Sequence, residues 1–512
     1  MKTLIFAAAI IAGAAGGAAN AADLSSTATP DQPASTPLAV PDQQPAALAP
    51  VPPLQPPPVP PAAPDQAASS KPSCFDSVWD FINSSVRDCP LRWGPLTFYG
   101  NIDMAYGYSR FGAPVGPSAD KANYFISRNS RNEHWFWSPN GASTSVAGIE
   151  LKQPMQDEWE LIGVAEGGFN PYSASLINGP RSQADNNLRT VLNQRTEFNT
   201  SRAGQIDNSQ GFVGVSNPIY GTLTFGRTNS LSQSAIGAFD PVQSVAFSLI
   251  GFSALYSGFG ANSTTRVNTA LTYRLTYQGF RFAAQMQLGG YSLGNGATDQ
   301  YQLQLGTDIG NLSFDAIGMY AKNAAVFSTF GGTVPAGLDP NSVVRGTLSD
   351  TGGAALLARY NWKPFRFFLG YIYSRTTNPS DDFSEGFPTP ASGIIVPGGF
   401  VNSNNFAIPR NLNTVWTGVR YAVRPNIDLS TGVYWEHQND FNPAPCTGSG
   451  TATSNSRCSG DRWSYSVMID YRPVSRLSLY AGIMYSKVSG GQASGFMHDW
   501  NIDPTVGVRI RF

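Results

Sequence analysis

The sequence predicts an all-β chain in which residues 95–512 close into a 16-stranded antiparallel transmembrane β-barrel. Three observations carry this. The chain ends in Thr505-Val506-Gly507-Val508-Arg509-Ile510-Arg511-Phe512. Val506, Val508, Ile510 and Phe512 share one face of that strand, and Thr505, Gly507, Arg509 and Arg511 share the other. Two arginines interleaved with aliphatics suit a strand with one face in lipid and one in a wet lumen. Segments with the same alternation recur from about residue 95, and the connections between them alternate between tight and long.

The elements follow in order. Residues 1–21 read as a secretory signal peptide, with Lys2 at the start, an apolar run from Leu4 to Ala15, and the small-x-small site Ala19-Asn20-Ala21. The run is too short for a transmembrane anchor, which needs ~20 apolar residues. Residues 22–72 are rich in Pro, Ala and Gln, as in Pro56-Pro57-Pro58-Val59-Pro60-Pro61. Such a segment cannot bury a core and is expected to be a disordered, polyproline-like arm. At ~3.1 Å per residue it reaches on the order of 150 Å, as a passive spacer or as a tether to peptidoglycan or a periplasmic protein.

Residues 73–94 are expected to form a short helical segment. Phe75, Val78, Trp79, Ile82 and Val86 fall near helical spacing, and a Cys74–Cys89 bridge would clip its ends. The other two cysteines, Cys446 and Cys458, form a second local pair. An even count at short spacing in an exported chain reads as disulfides, and neither pair has the spacing or the histidines of a metal site.

The sixteen strands are expected at 95–110, 142–153, 159–170, 209–216, 221–229, 266–275, 279–291, 299–309, 311–322, 353–362, 365–375, 411–422, 427–438, 463–472, 477–487 and 503–512. Lengths near ten suit a tilted bilayer crossing, and an even count is the rule for bacterial barrels. A soluble sandwich or β-helix has no reason to alternate short and long connections. Aromatics gather at both ends of these strands, as amphipathic rings do at the two membrane interfaces. The composition agrees: 13% charged, 12% aromatic and 52 glycines. Lys+Arg 33 against Asp+Glu 34 argues against nucleic acid as a partner.

Alternation assigns charges to the lumen. The bases include Lys152, Arg266, Arg274, Arg281, Arg359, Arg366, Arg420, Arg472, Arg509 and Arg511. The acids include Asp103, Glu150, Glu160, Glu166, Asp308, Asp315, Asp428, Glu436 and Asp470. Nearly balanced, the set leaves ion selectivity open. Arg227 shares its face with Leu223 and Phe225. Either the strand has ended there or a bulge re-aims Arg227 into the pore, and re-aiming is the expectation.

No nucleophile elbow, zinc-protease helix, P-loop or dinucleotide fingerprint is present, so no catalytic residue, metal or cofactor is expected. Tyr99, Phe368, Trp416 and Tyr434 are the lumen aromatics that a sugar-selective pore would use, but they form no obvious ladder. No ~130–150-residue plug precedes the strands, which disfavours a 22-stranded energised transporter.

Several stretches carry a family resemblance. They are Leu96-Thr97-Phe98-Tyr99-Gly100-Asn101-Ile102-Asp103, Ser145-Val146-Ala147-Gly148-Ile149-Glu150-Leu151 and Ala165-Glu166-Gly167-Gly168-Phe169-Asn170. Next come Ser201-Arg202 through Gly211-Phe212-Val213-Gly214-Val215-Ser216 to Tyr220-Gly221-Thr222-Leu223-Thr224-Phe225-Gly226-Arg227, and then Arg266-Val267-Asn268-Thr269-Ala270-Leu271-Thr272-Tyr273. With the terminal Phe512, the chain resembles the trimeric general-diffusion porins of Gram-negative bacteria, particularly the rhizobial and other alphaproteobacterial members. The Pro-rich arm is not part of that pattern.

The resemblance implies an outer-membrane homotrimer that passes small hydrophilic solutes and ions by passive diffusion. It implies that the third external loop, 230–265, folds inward as a constriction loop. That loop's one acid, Asp240, would then face wall arginines and set a transverse field. Arg227, Asp240, Arg266, Glu166, Asp103, Arg281, Arg366 and Arg420 are the candidate constriction residues. Phe512 is the expected C-terminal signal for the barrel-assembly machinery. Outer-membrane lipids and lipopolysaccharide are the expected surroundings.

Overall fold

A computed structural model describes residues 77–110, 133–172, 210–243, 247–252, 266–287, 299–322, 326–327, 346–347, 350–378, 380, 406–446, 457–493 and 498–512. The chain divides into Met1–Ser73 and Cys74–Phe512. The signal peptide and arm expected over 1–72, and Cys74, lie outside the described residues.

The strands come in chain order. They begin with β1 (Leu91–Trp93), β2 (Leu96–Ser109), β3 (His134–Pro139), β4 (Val146–Pro154), β5 (Glu160–Gly168), β6 (Gly211–Asn217) and β7 (Gly221–Asn229). There follow β8 (Arg266–Tyr277), β9 (Phe280–Gln287), β10 (Asp299–Ile309), β11 (Leu312–Lys322), a small ribbon of β12 (Val326–Phe327) and β13 (Gly346–Thr347), and β14 (Asp350–Trp362). The last are β15 (Phe365–Thr377), β16 (Arg410–Arg424), β17 (Ile427–Gln438), β18 (Gly460–Val474), β19 (Leu477–Val488) and β20 (Trp500–Arg511). Every neighbouring pair is antiparallel, and β20 pairs back onto β2 from Asn101↔Arg511 to Gly107↔Thr505, which closes the ring.

One sheet contains eighteen segments, but they make sixteen staves. β3 and β4 both pair with the same edge of β2, at residues 104–109 and 96–101, so they are two halves of one stave. β1 and β20 share the other edge, at residues 96–98 and 101–107, and splice the last stave from both ends of the barrel. At that splice Gly100 and Phe512 exchange both backbone hydrogen bonds, at 2.9 and 3.0 Å. The Phe512 ring covers Gly100, where a Cβ would collide with it.

Two sequence expectations are corrected. The second stave begins at His134, not at 142, and breaks at residues 140–145. Asn140, with φ 61°, turns the chain inward, and Asp103 holds the break. Its Oδ2 accepts from Ala142 N–H (3.1 Å), Ser143 N–H (2.8 Å) and Ser143 Oγ (3.1 Å). The helix is only α1 (Val78–Asn83), capped by Ser77 and ended at Ser84, and none of its residues is buried. Its place is fixed instead by Arg476, in the β18–β19 turn. That guanidinium stacks on the Phe81 ring at 4.0 Å and donates to the carbonyls of Phe81, Ser85 and Cys89.

The two barrel faces follow the alternation. In β10, Gln300, Gln302 and Gln304 are buried inside while Tyr301, Leu303 and Leu305 are exposed outside. Outward rings stack in two belts. Trp362, Phe365, Phe367 and Tyr421 mark the turn end, and Trp435, Trp463, Tyr465, Tyr485 and Trp500 the loop end. Inside, opposed glycines make room for large inward rings. A Cβ at Gly370 or Gly507 would run into Trp416 or Tyr480 respectively, the residue directly opposite on the neighbouring strand.

Candidate functional site

The loop after β7 enters the lumen and follows the inner wall, touching successive staves. Ser230 caps α2 (Leu231–Ala238), its side chain accepting from Gln233 N–H at 3.0 Å. Ser232 N–H donates to Gln302 Oε1 of β10 at 2.9 Å. Arg359 of β14 donates to the Ala238 carbonyl at 3.4 Å, and Trp416 Nε1 of β16 to the Phe239 carbonyl at 3.0 Å. Tyr434 of β17 donates its hydroxyl to Asp240 Oδ1 at 2.7 Å, and Arg420 of β16 donates to the Pro241 carbonyl at 3.0 Å. Val242 and Phe247 then rest against Ala105, Ala142, Met468 and Tyr480. The loop's apolar side, with Ile236, Leu249 and Ile250, packs onto Ile317, Leu357, Ile372 and Trp416. A loop with this many polar and apolar anchors is part of the wall, since each hydrogen bond contributes about 1 kcal/mol net.

The wall charges sort by whether they are already paired. Arg281 bridges Asp308 and Asp315, the second at 2.7 Å. Asp315 also accepts from Gln304 at 2.8 Å. Glu166 accepts from Tyr99 at 2.8 Å, and Lys152 pairs with Glu150 at 2.8 Å. Arg472 lies 2.9 Å from Asp428 and 3.6 Å from Asp470, and Arg509 lies 3.3 Å from Asp470. Arg366 and Arg420 lie directly opposite each other on β15 and β16. Arg366 donates to Asn361 at 2.9 Å, and Arg420 lies over the Phe368 ring at 5.9 Å.

Several expected site residues take other roles. Asp240 is fully buried between loop and wall and anchors the loop rather than facing the channel. Asp103 is fully buried too, and its other oxygen accepts from Tyr480 at 2.5 Å. The irregularity expected at Arg227 is present, since the β7–β8 register shifts between Gly226 and Thr228. The extra residue, however, lies in β8. Thr228 faces inward, bonded to Gln285, and is paired with Val267. The bulge interrupts the alternation on either side of it, so parity alone does not set the aim of Arg227 or Arg266, and Arg266 is buried. Trp416 and Tyr434 are adjacent and fully buried under the loop, which removes them from any sugar ladder. Cys446 and Cys458 are bonded, with Cα atoms 5.8 Å apart.

Sequence reasoning missed Tyr480, Tyr434 and Arg476 as anchors. The first two left a trace, being large rings on the lumen parity of their strands. Arg476 left none, because an arginine in a two-residue turn is unremarkable.

A closed barrel with an apolar outside, a charged inside and a chain segment fixed along its inner wall defines a membrane channel. The family profile described as Gram-negative porin matches residues 62–491. Among solved structures the chain is similar to an anion-selective porin from Comamonas acidovorans, at 13% identity over 81% of this chain and 99% of that one, with TM-score 0.52. It is also similar to OmpT, an outer membrane protein of Vibrio cholerae, at 13% identity over 83% and 99%, with TM-score 0.51. No curated protein matches the chain in sequence. The chain belongs to the Gram-negative porin family. It forms an outer-membrane channel through which solutes pass by passive diffusion, and is a channel rather than an enzyme.

Proposed function

We propose that the protein is a general-diffusion porin of the alphaproteobacterial type, working as a homotrimer that admits small hydrophilic solutes and ions without a dedicated binding step. The observation that carries this reading is the inward loop, anchored to the wall from Gln302 to Tyr480. It narrows the lumen without occupying it as a separate plug domain. A trimer form of OmpT of Vibrio cholerae, similar in fold with TM-score 0.50, supports the oligomeric state. In this reading residues 1–21 are removed on export and the turn end faces the periplasm. Conductance of the refolded mature protein in planar bilayers tests it. Large ohmic steps arriving in threes are expected; a folded barrel with no conductance would refute it.

A second reading, that the arm over 22–72 also tethers the barrel to peptidoglycan or a periplasmic protein, is favoured by one feature. Arg476 fixes residues 81–89, which follow the arm in sequence, to the turn end. Deleting 24–70 is expected to weaken peptidoglycan co-sedimentation and leave conductance alone; unchanged co-sedimentation removes the tether.

A further inference from the structure

The lumen wall carries two like-charged pairs, and the fold treats them oppositely. Asp428 and Asp470 face each other across β17 and β18. Arg472 reaches both and Arg509 reaches Asp470, so this acidic pair is compensated. Arg366 and Arg420 face each other across β15 and β16. Among the described residues neither has a carboxylate within ion-pair distance. Their partners are the Asn361 amide, the Ser430 hydroxyl and the Pro241 carbonyl. Like charges directly opposed across a ladder are destabilising, so the fold carries a cost here that it relieves two strands away.

Asp428 and Asp470 line the same pocket as Arg420, but they are shared with Arg472 and Arg509. Asp240 and Asp103 are fully buried, bonded to Tyr434 and Tyr480. The carbonyl oxygen of Phe512 is held in the ladder by Gly100 N–H. The sequence of the whole loop, 230–265, contains no acid other than Asp240. With Asp240 buried, the sequence of this loop offers no other acid to face the wall arginines. Arg511, exposed on the lumen parity of β20, and Arg359, which donates to Ala238 and Ser313, add two more cations that have no carboxylate within ion-pair distance among the described residues.

We infer that the opposed Arg366–Arg420 pair, with Arg359 and Arg511, is an anion-receiving site on the turn side of the loop that makes the channel prefer small inorganic anions over cations. This rests on the channel reading and adds the class of solute it favours. A solvated anion between the two guanidinium groups supplies the countercharge that the wall withholds.

The test is the reversal potential of the refolded full-length mature protein in a tenfold KCl gradient. The expected result is a chloride over potassium preference of roughly fivefold, the scale that about two uncompensated charges ~8 Å from the ion path give after screening. Arg366→Gln and Arg511→Gln touch no loop residue. Each is expected to lower that ratio by about twofold, and Arg366→Gln to leave the barrel as heat-stable as before or more so, because it removes a repulsion. Arg110→Gln, at the loop end, is expected to change nothing. Stepwise conductance with a zero or cation-directed reversal potential would overturn the inference and leave the channel intact, as would an Arg366→Gln/Arg511→Gln variant with unaltered selectivity. A folded barrel with no conductance would overturn both.

Discussion

Tyr434→Phe removes one oxygen and keeps the ring that packs beside Trp416. The lost hydroxyl donates to a fully buried carboxylate at 2.7 Å, 194 residues away in sequence. A hydrogen bond to a buried charged group contributes about 2 kcal/mol, and a tenfold change in an equilibrium takes about 1.4 kcal/mol. The population with the loop displaced near Asp240 should therefore rise about 30-fold. Hydrogen exchange in detergent micelles reads this directly. Protection of the amides from Leu231 to Val242 should fall about 30-fold, while β16 and β17 keep theirs. Open-channel current noise should rise in parallel. Undiminished loop protection would refute the latch. Equal loss of protection in β17 would show that the hydroxyl supports the barrel and not the loop.

The remaining predictions concern other anchors. Asp103→Ala strands the donors of Ala142 and Ser143 and should cost about 3–5 kcal/mol, read as a lower temperature for loss of the compact form on a denaturing gel; Asp103→Asn should cost about 1 kcal/mol. Arg476→Gln should expose residues 77–89 to protease while conductance stays at the wild-type value, because the guanidinium touches only that segment and its own turn. Gly370→Val should lower barrel stability by at least ~3 kcal/mol, since the Trp416 indole occupies the space a side chain would need; a normal melting temperature would show that the indole can move. Reduction of Cys446–Cys458 should raise proteolysis between the two cysteines without changing channel conductance.

The alternation that marks strands was legible because a barrel wall repeats one rule, apolar outside and polar inside, for every stave. Even so, the second stave was cut short. Its first half, His134-Trp135-Phe136-Trp137-Ser138-Pro139, has few aliphatic residues and is separated from the rest by a six-residue break that a sequence reads as loop. The bulge in β8 beside Arg266 was hidden for a different reason. A bulge adds one residue to one strand, which is invisible unless the partner's register is known. Asp240 could be found but not understood, since nothing local says that Tyr434 and Trp416 converge on its neighbourhood. The spliced stave was equally hidden: Leu91-Arg92-Trp93 is too short to stand as a strand without the edge of β2 below residue 101.

That splice also constrains how the protein is made. β1 and β20 complete the same stave, one supplied before the barrel proper and the other by its last residues. Any chain still missing its final stretch has two open edges, each a row of unsatisfied amides and carbonyls, which hydrocarbon does not tolerate and which recruit other strands in water. No fragment that lacks β20 offers a closed ring, so insertion has to wait until β20 is available. Delivery to the membrane and closure of the cylinder are then one event, timed by the arrival of β20.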